Sequence, residues 1–305
     1  MKAHTKVQMM KNTTNSIITI LAIFVTVSAN AQERKVADPS GPFARRAGQV
    51  TQLASTYDQA LPVNERALIG NATIISPCRI ITNYHVAFGK SKKEDTKKIV
   101  MVKNRAKGHE VNFEFDLDSS GKFRRAVKAK VVGFANYMNT AAGTLGDMAV
   151  LEMETCLDQK EYAQLDLAMA DSKSDVPVGA LMTVSSGKSA DGKNQILVQQ
   201  GCKSEVVTPI DGLFMSNCEV VGGMSGSAVY EMGSDKKWHW TGLTTLRTGD
   251  SSDTRLVAIN AKTIASFFNQ SFGEVPMAIA PMALDDRQPQ SQQAMANTSG
   301  KVTVQ

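Results

Sequence analysis

Residues 222–228 read Gly-Gly-Met-Ser-Gly-Ser-Ala, a serine enclosed by glycines. Two short motifs precede it: residues 80–86 read Ile-Ile-Thr-Asn-Tyr-His-Val, and residues 146–151 read Gly-Asp-Met-Ala-Val-Leu. Taken alone, each is ordinary, because glycine-rich loops, histidines after strands and aspartates at strand starts are common in proteins. Their order along the chain, histidine then aspartate then serine, is one that characterises a known arrangement of catalytic groups.

The segments around these motifs predict an all-β fold. They are short, rich in β-branched or aromatic residues, and bounded by Gly, Asn, Asp or Ser. The predicted strands cover residues 72–76, 79–82, 99–102, 111–115, 126–133, 148–153, 181–184, 196–198, 212–215, 227–230 and 238–246. One helix is predicted between Asn260, which can cap its start, and Gly273, which can end it. So many short strands favour barrels or a sandwich.

Together the three motifs resemble those of the trypsin-like (chymotrypsin-fold) serine proteases. Residues 82–85 are similar to the family's histidine motif, residues 147–151 to its aspartate motif, and residues 223–227 to its nucleophile loop. The final serine of that loop and the phenylalanine-rich helix resemble the bacterial glutamyl-endopeptidase-like branch. The resemblance covers residues 64–272. It implies two packed six-stranded antiparallel β-barrels (chymotrypsin-like) with a C-terminal helix.

The resemblance also implies a role for each motif residue. Ser225 would attack a peptide carbonyl, His85 would act as general base, and Asp147 would orient the imidazole. Backbone N–H groups of Gly223 and Ser225 would form the oxyanion hole, each donor contributing roughly 3 kcal/mol. The function predicted is an exported serine endopeptidase that works through an acyl-enzyme intermediate, with no metal and no cofactor. The alternative from another class is a catalytically inactive binding module on the same fold.

Five residues are predicted to contact the substrate. Glu219 would lie at the floor of the primary pocket, where an acid favours a basic residue before the scissile bond (P1). Val220 and Thr244 stand where the glutamyl branch tends to have Thr and His, so we do not expect strict glutamate specificity. Thr244, Thr245 and Leu246 would form the edge strand that pairs with the substrate backbone.

Met224 marks a departure from the digestive members of the family, which carry an aspartate at that position. There the aspartate pairs with the new N-terminus created by activation. A methionine cannot form that ion pair, so we expect this activation switch to be absent. Trimming of the chain near Arg45 and Arg46 stays open at this stage.

Four cysteines, an even number, suggest two disulfides in an exported chain. Four cysteines allow three pairings. The resemblance places Cys78 and Cys156 in the first barrel and puts Cys202 and Cys218 on either side of a hairpin, which implies the pairs Cys78–Cys156 and Cys202–Cys218. No Cys-x-x-Cys spacing occurs, so a zinc site is not expected.

The N-terminal residues 1–31 are predicted to be a signal peptide. A basic stretch precedes the apolar run of residues 17–27, and Ala-Asn-Ala at residues 29–31 is a typical cleavage site. The run is too short to span a bilayer as a helix. We therefore expect export to the periplasm or the medium, the alternative being an uncleaved N-terminal anchor.

The remaining sequence predicts three regions. Residues 32–48 are expected to be a leader or linker, and residues 277–305 a disordered tail. Between them, residues 49–276 would form the protease domain, with the boundary between its barrels near residues 160–178.

The charge balance limits the range of partners. Three of the 34 Lys and Arg residues fall in the first 31 residues, which hold no acid, so the rest of the chain is close to neutral against 29 Asp and Glu. That balance excludes a typical nucleic-acid binder. The partners expected are protein or peptide substrates, with no nucleic acid and no stable membrane insertion, and the sequence leaves the oligomeric state open.

Overall fold

The described part of the chain is built mainly from β-strands. A computed structural model describes residues 33–52, 69–88, 91–92, 99–100, 107–135, 142–163, 165, 176–189, 191–205, 210–248 and 255–272. The strands are β1 Lys35–Val36, β2 Ala47–Gln52, β3 Ile69–Ser76, β4 Arg79–Thr82, β5 Ser91–Lys92, β6 Ile99–Val100, β7 Glu110–Leu117, β8 Phe123–Phe134, β9 Ala149–Met153, β10 Leu181–Lys188, β11 Asn194–Cys202, β12 Ser204–Glu205, β13 Leu213–Ser216, β14 Ala228–Met232, β15 Trp238–Thr248 and β16 Arg255–Asn260.

Four α-helices and one 3₁₀ helix connect these strands within the described residues. They are α1 Pro42–Arg46, α2 Tyr84–Ala87, α3 Gln159–Ala163, α4 Ala261–Phe272 and the 3₁₀ helix Ala142–Gly146. The predicted signal peptide and C-terminal tail lie outside the described residues. None of the helices in the described ranges is both long enough and apolar enough to cross a membrane.

The first half of the fold is a closed antiparallel barrel of six strands, in the order β2-β3-β4-β9-β8-β7. Its strands alternate inward and outward side chains because successive residues of a strand face opposite sides of the sheet. In β7 the buried members are every second residue, namely Val111, Phe113, Phe115 and Leu117. Burial of these apolar side chains supplies the driving force for the first barrel.

The second half is a curled antiparallel sheet, in the order β1-β11-β10-β14-β15-β16-β13-β12. Strand β12 follows β11 after a single residue, Lys203. The same stretch of chain therefore pairs with β10 before the break and with β13 after it. This arrangement makes a second six-stranded unit in which β11 and β12 act as one interrupted strand, and this unit is called the second barrel below. The all-β, chymotrypsin-like fold is confirmed, with β1 as an additional edge strand.

Residues 33–48, which fall within the expected leader or linker, contain a strand and a helix that pack on the rest of the fold. Strand β1 pairs antiparallel with β11, and helix α1 buries Ala44 and Arg46. Arg46 is only 1% exposed, and Arg45 forms an ion pair with Glu161. A protease that trimmed the folded chain here would need an exposed, extended segment, so the folded structure disfavours maturation at this basic pair.

Two disulfides fix the ends of strands. Cys78, in the turn between β3 and β4, is joined to Cys156, which follows β9. Cys202, at the end of β11, is joined to Cys218, which follows β13. These are the pairs that the family resemblance implies. The second closes a short loop, which corresponds to about 3 kcal/mol in the chain-entropy model.

The predicted C-terminal helix is present as α4. It begins directly after Asn260, whose Oδ1 accepts the N–H of Thr263 at 2.9 Å, the geometry of a helix N-cap. Ile264 and Phe268 are buried against the second sheet.

His109 gives the fold a pH-dependent stability. Its ring packs 5.3 Å from that of Phe88, and burial lowers the pKa of His109 below its ordinary value of 6.5. As the pH falls through that ordinary value, the unfolded chain takes up a proton before the folded chain does, so stability is lost. We expect the free energy of unfolding to fall more in the wild type than in His109→Gln between about pH 7.5 and 5.5. Denaturant titrations at several pH values measure this, and equal losses in both proteins would contradict it.

Candidate active site

Two neighbouring strands of the first barrel bring a histidine and an aspartate together. Helix α2 follows β4 directly and carries His85, while Asp147 lies just before β9. Strands β4 and β9 are antiparallel partners, with Thr82 opposite Ala149. Because the end of one strand lies beside the start of the other, the two side chains meet at the same edge of the barrel.

The carboxylate of Asp147 is fully buried and surrounded by donors. Its Oδ2 lies 2.8 Å from His85 Nδ1, and its Oδ1 accepts the backbone N–H of His85 at 3.1 Å. The hydroxyl of Thr245 donates to Oδ2 at 2.5 Å. A carboxylate only accepts, so the proton of the His85 ring lies on Nδ1 and the lone pair on Nε2. These three hydrogen bonds offset the cost of burying the charge.

Ser225 lies in a loop that packs against the first barrel. Its carbonyl accepts the N–H of Asn71 at 2.7 Å, and the N–H of Gly226 donates to Thr244 O at 2.9 Å. Gly226 has φ +86°, and a Cβ there would stand 1.9 Å from Asn71 O and 2.5 Å from Thr82 Oγ1. Only glycine fits, and its absent side chain lets the loop approach β3 and β4 closely.

Strand β15 connects the serine loop with the buried aspartate. Thr244 O receives the N–H of Gly226, and the adjacent Thr245 holds Asp147 through its hydroxyl. The loop therefore lies between β15 on one side and the strands that lead to His85 on the other.

The turn before Ser225 carries the predicted oxyanion donors. The N–H of Met224 donates to Val221 O at 3.3 Å, which closes a β-turn in which Gly223 has φ +90°. Glycine adopts this φ without strain. Met224 is 2% exposed and packs in the apolar cluster that holds Val220 and the Cys202–Cys218 disulfide. The position is thus part of a core in this protein and carries no charge.

Asn71 is the residue of this region that the sequence analysis missed. It is 1% exposed, and its Nδ2 donates to Gly223 O at 2.6 Å and to Ser186 O at 3.2 Å. Its Oδ1 accepts the N–H of Ser186 at 2.5 Å. Asn71 in β3 thus joins both barrels and the serine loop. Asn71 stands directly before the predicted strand of residues 72–76, and nothing in the local sequence marks it as a residue with distant partners.

The five predicted substrate residues differ in accessibility. The side chains of Glu219 and Leu246 are exposed, at 58% and 39%. Those of Val220, Thr244 and Thr245 are buried. The hydroxyl of Thr245 is used by Asp147, so contact of Thr245 with a substrate strand would involve its backbone.

The other two described histidines have different surroundings. His239 Nε2 lies 2.9 Å from Oδ1 of Asp235, a surface carboxylate whose pKa is lowered chiefly by this hydrogen bond. His109 packs against Phe88. Neither pairs with a buried carboxylate as His85 does. Within the described ranges, no group of three or more His, Cys, Asp or Glu residues is placed to hold a metal ion.

Comparison with known proteins places the chain in a family. Residues 70–237 match the model of the trypsin-like peptidase domain. The chain belongs to the trypsin-like peptidase family. This membership supports a serine protease. No curated protein sequence matches the chain significantly.

Solved structures of proteases share the fold of this family member. A thermostable serine protease, AL20, from an extremophilic microorganism is 12% identical, with a TM-score of 0.50 over 78% of this chain and 100% of that one. The protease Anisep from Arthrobacter nicotinovorans is 13% identical, with a TM-score of 0.50 over 81% of this chain and 100% of that one. A Glu endopeptidase is 17% identical, with a TM-score of 0.48 over 79% and 97%.

We expect Asn71→Ala to loosen the serine loop. The substitution leaves Gly223 O and the two backbone groups of Ser186 without their buried partner, at a cost of about 2–4 kcal/mol in the free energy of unfolding. Misplacement of the loop should slow reaction of Ser225 with a fluorophosphonate by about 10- to 100-fold.

Asn194→Ala is the matched control. The Nδ2 of Asn194, in β11, also donates to a backbone carbonyl of the first barrel, Gly121 O at 3.3 Å, but it has no contact with the serine loop. Its labelling rate should equal that of the wild type. Equal rates for both variants would contradict the role given to Asn71.

Proposed function

We propose that the protein is an exported serine endopeptidase whose catalytic residues are His85, Asp147 and Ser225. The observation that carries this proposal is the buried carboxylate of Asp147, held between the His85 ring and the hydroxyl of Thr245. A fully desolvated carboxylate on Nδ1 fixes the ring tautomer and stabilises the imidazolium that forms when Nε2 takes a proton. Burying a charged carboxylate costs free energy of desolvation, and here the buried charge has a use, which is to hold and stabilise the imidazole.

The reaction proceeds in two steps. His85 Nε2 takes the proton of the Ser225 hydroxyl as the oxygen attacks the peptide carbonyl, and the same proton then goes to the leaving amine. An acyl-Ser225 ester remains. His85 then takes a proton from water as the water oxygen attacks this ester. The imidazolium gives that proton to the Ser225 oxygen as the ester bond breaks and the new carboxyl end is released. The N–H groups of Gly223 and Ser225 stabilise the oxyanion in both steps.

An extended peptide fits beside β15. The pairing of β15 with β14 ends at Leu243, whereas its pairing with β16 continues to Thr248. The N–H and carbonyl of Thr244 bond to the serine loop, and beyond Thr244 no described strand pairs with this edge of β15. A substrate strand could pair with that edge by β-strand addition. The backbone of a polypeptide substrate supplies the N–H and C=O groups that hydrogen-bond to such an edge.

A preference for a basic P1 residue stays a prediction. Glu219 supplies the negative charge, but its carboxylate lies 3.7 Å from Arg34 Nη2. The neighbouring guanidinium offsets part of that charge, so we expect only weak enrichment of Lys and Arg in the cleavage profile.

Export is supported by the two disulfides. Disulfides form and persist in oxidising compartments such as the periplasm and the extracellular medium. They agree with the predicted signal peptide at residues 1–31.

Labelling with a fluorophosphonate probe tests the proposal. The wild type should be modified stoichiometrically on Ser225, and Ser225→Ala should not react. Ser234→Ala, which changes an exposed serine in the turn after β14, should react like the wild type.

Asp147→Asn should lower the turnover of peptide substrates about 10⁴-fold because it favours the wrong imidazole tautomer.

The alternative, an inactive binding module, predicts no labelling of the folded wild type and no peptide cleavage. That result, obtained with protein whose near-UV circular dichroism shows a packed core, would reject the proposed function.

A further inference from the structure

Glu219 is held on both sides of its backbone by long side chains. Its N–H donates to Gln199 Oε1 at 2.8 Å, and its carbonyl accepts a hydrogen bond from Arg34 Nη2 at 3.1 Å. Gln199 is 3% exposed and the side chain of Arg34 is 12% exposed. The contact with Gln199 is partly buried, whereas the contact with Arg34 lies at the exposed backbone of Glu219.

Both holding residues come from one edge of the second barrel. Gln199 is part of β11, and Arg34 directly precedes β1, whose Lys35 and Val36 pair with Val198 and Leu197 of β11. The N–H of Ala37 extends this pairing to Ile196 O at 2.8 Å. The pairing fixes the backbone at Arg34 and aims its side chain at Glu219.

The segment held in this way leads directly to the oxyanion donors. Cys218 is fixed by its disulfide, and Glu219 follows it. Two residues later the β-turn of Val221 to Met224 begins, and Ser225 follows. Because Cys218 is fixed and only a few residues follow it before the turn, a shift of the backbone at Glu219 also shifts the N–H groups of Gly223 and Ser225.

We propose that Arg34 is a positioning residue for the serine loop, an inference that rests on the proposed protease function. By holding the carbonyl of Glu219, Arg34 fixes the segment that presents Gly223 and Ser225. The N-terminal strand is then a working part of the mature enzyme. In this protein the side chain of Met224 is apolar and buried. The charged contact is made instead by Arg34, at the carbonyl of Glu219, which lies six residues before Ser225.

Arg34 makes two contacts with Glu219, a hydrogen bond to the backbone carbonyl and an ion pair with the side-chain carboxylate. The carbonyl of Glu219 is within hydrogen-bond distance of the guanidinium, whereas the carboxylate is farther away, at 3.7 Å, on a side chain that is 58% exposed. Exposed ion pairs contribute little. The hydrogen bond to the Glu219 carbonyl is therefore the contact through which Arg34 holds the segment.

The test measures kcat and KM for a peptide substrate, with the fluorophosphonate labelling rate, in full-length mature protein. Arg34→Met keeps the apolar packing of the side chain and removes its donors. It should lower kcat and the labelling rate about 10- to 100-fold and leave KM within about threefold. Arg34→Lys should restore part of kcat, because its ammonium keeps a charged donor.

Lys35→Ala is the matched control, since Lys35 is the exposed neighbour of Arg34 in the same N-terminal segment. It should match the wild type in kcat and in labelling rate. Near-UV circular dichroism and thermal unfolding verify that each variant is folded.

Different failures are distinguishable. If the wild type is labelled and Arg34→Met has the kcat of Lys35→Ala, the positioning role is overturned while the protease function stands. A folded wild type that is not labelled overturns the protease function and this inference together.

Discussion

The serine loop belongs to the second half of the chain, yet its backbone is hydrogen-bonded to the first barrel, and the rest of the site depends on this contact. The main chain of Asn71 holds Ser225, and its amide side chain holds Gly223 and Ser186. Gly226 permits the close approach because it lacks a Cβ. The contact between the serine loop and the first barrel is thus closed by hydrogen bonds that are buried or partly buried. Such bonds are costly to break, because water does not replace the lost partner.

A second constraint is the burial of Asp147. Its charge has no access to solvent, and donors from both barrels offset that loss: the ring and backbone N–H of His85 from the first, and the hydroxyl of Thr245 from the second. The same strand that supplies Thr245 also receives the N–H of Gly226. Docking of the barrels, placement of the serine loop and orientation of the imidazole are therefore coupled. A substitution that disturbs any one of these three features is expected to disturb the other two.

Much of this structure could be predicted from the sequence. The strands follow from β-branched runs between turn residues, and the capped helix after Asn260 follows from its apolar spacing. The residues that were missed make contacts with partners far away in the chain. Asn71 meets residues 115 and 152 positions away, and Arg34 meets one 185 positions away. A polar side chain carries no local sign of such a partner. The prediction of a leader or linker over residues 32–48 has the same cause, since the two-residue strand β1 is defined by its pairing with the distant strand β11.

Proton NMR of the His85 ring, before and after Ser225 is covalently modified by a fluorophosphonate, reports whether the imidazole and the serine hydroxyl lie at one site. We expect one downfield Nδ1 proton, hydrogen-bonded to Asp147, that is lost in Asp147→Asn and moves clearly when the phosphonyl group is placed on Ser225. A resonance that keeps its position after complete modification would mean that the imidazole and the serine hydroxyl do not share one site.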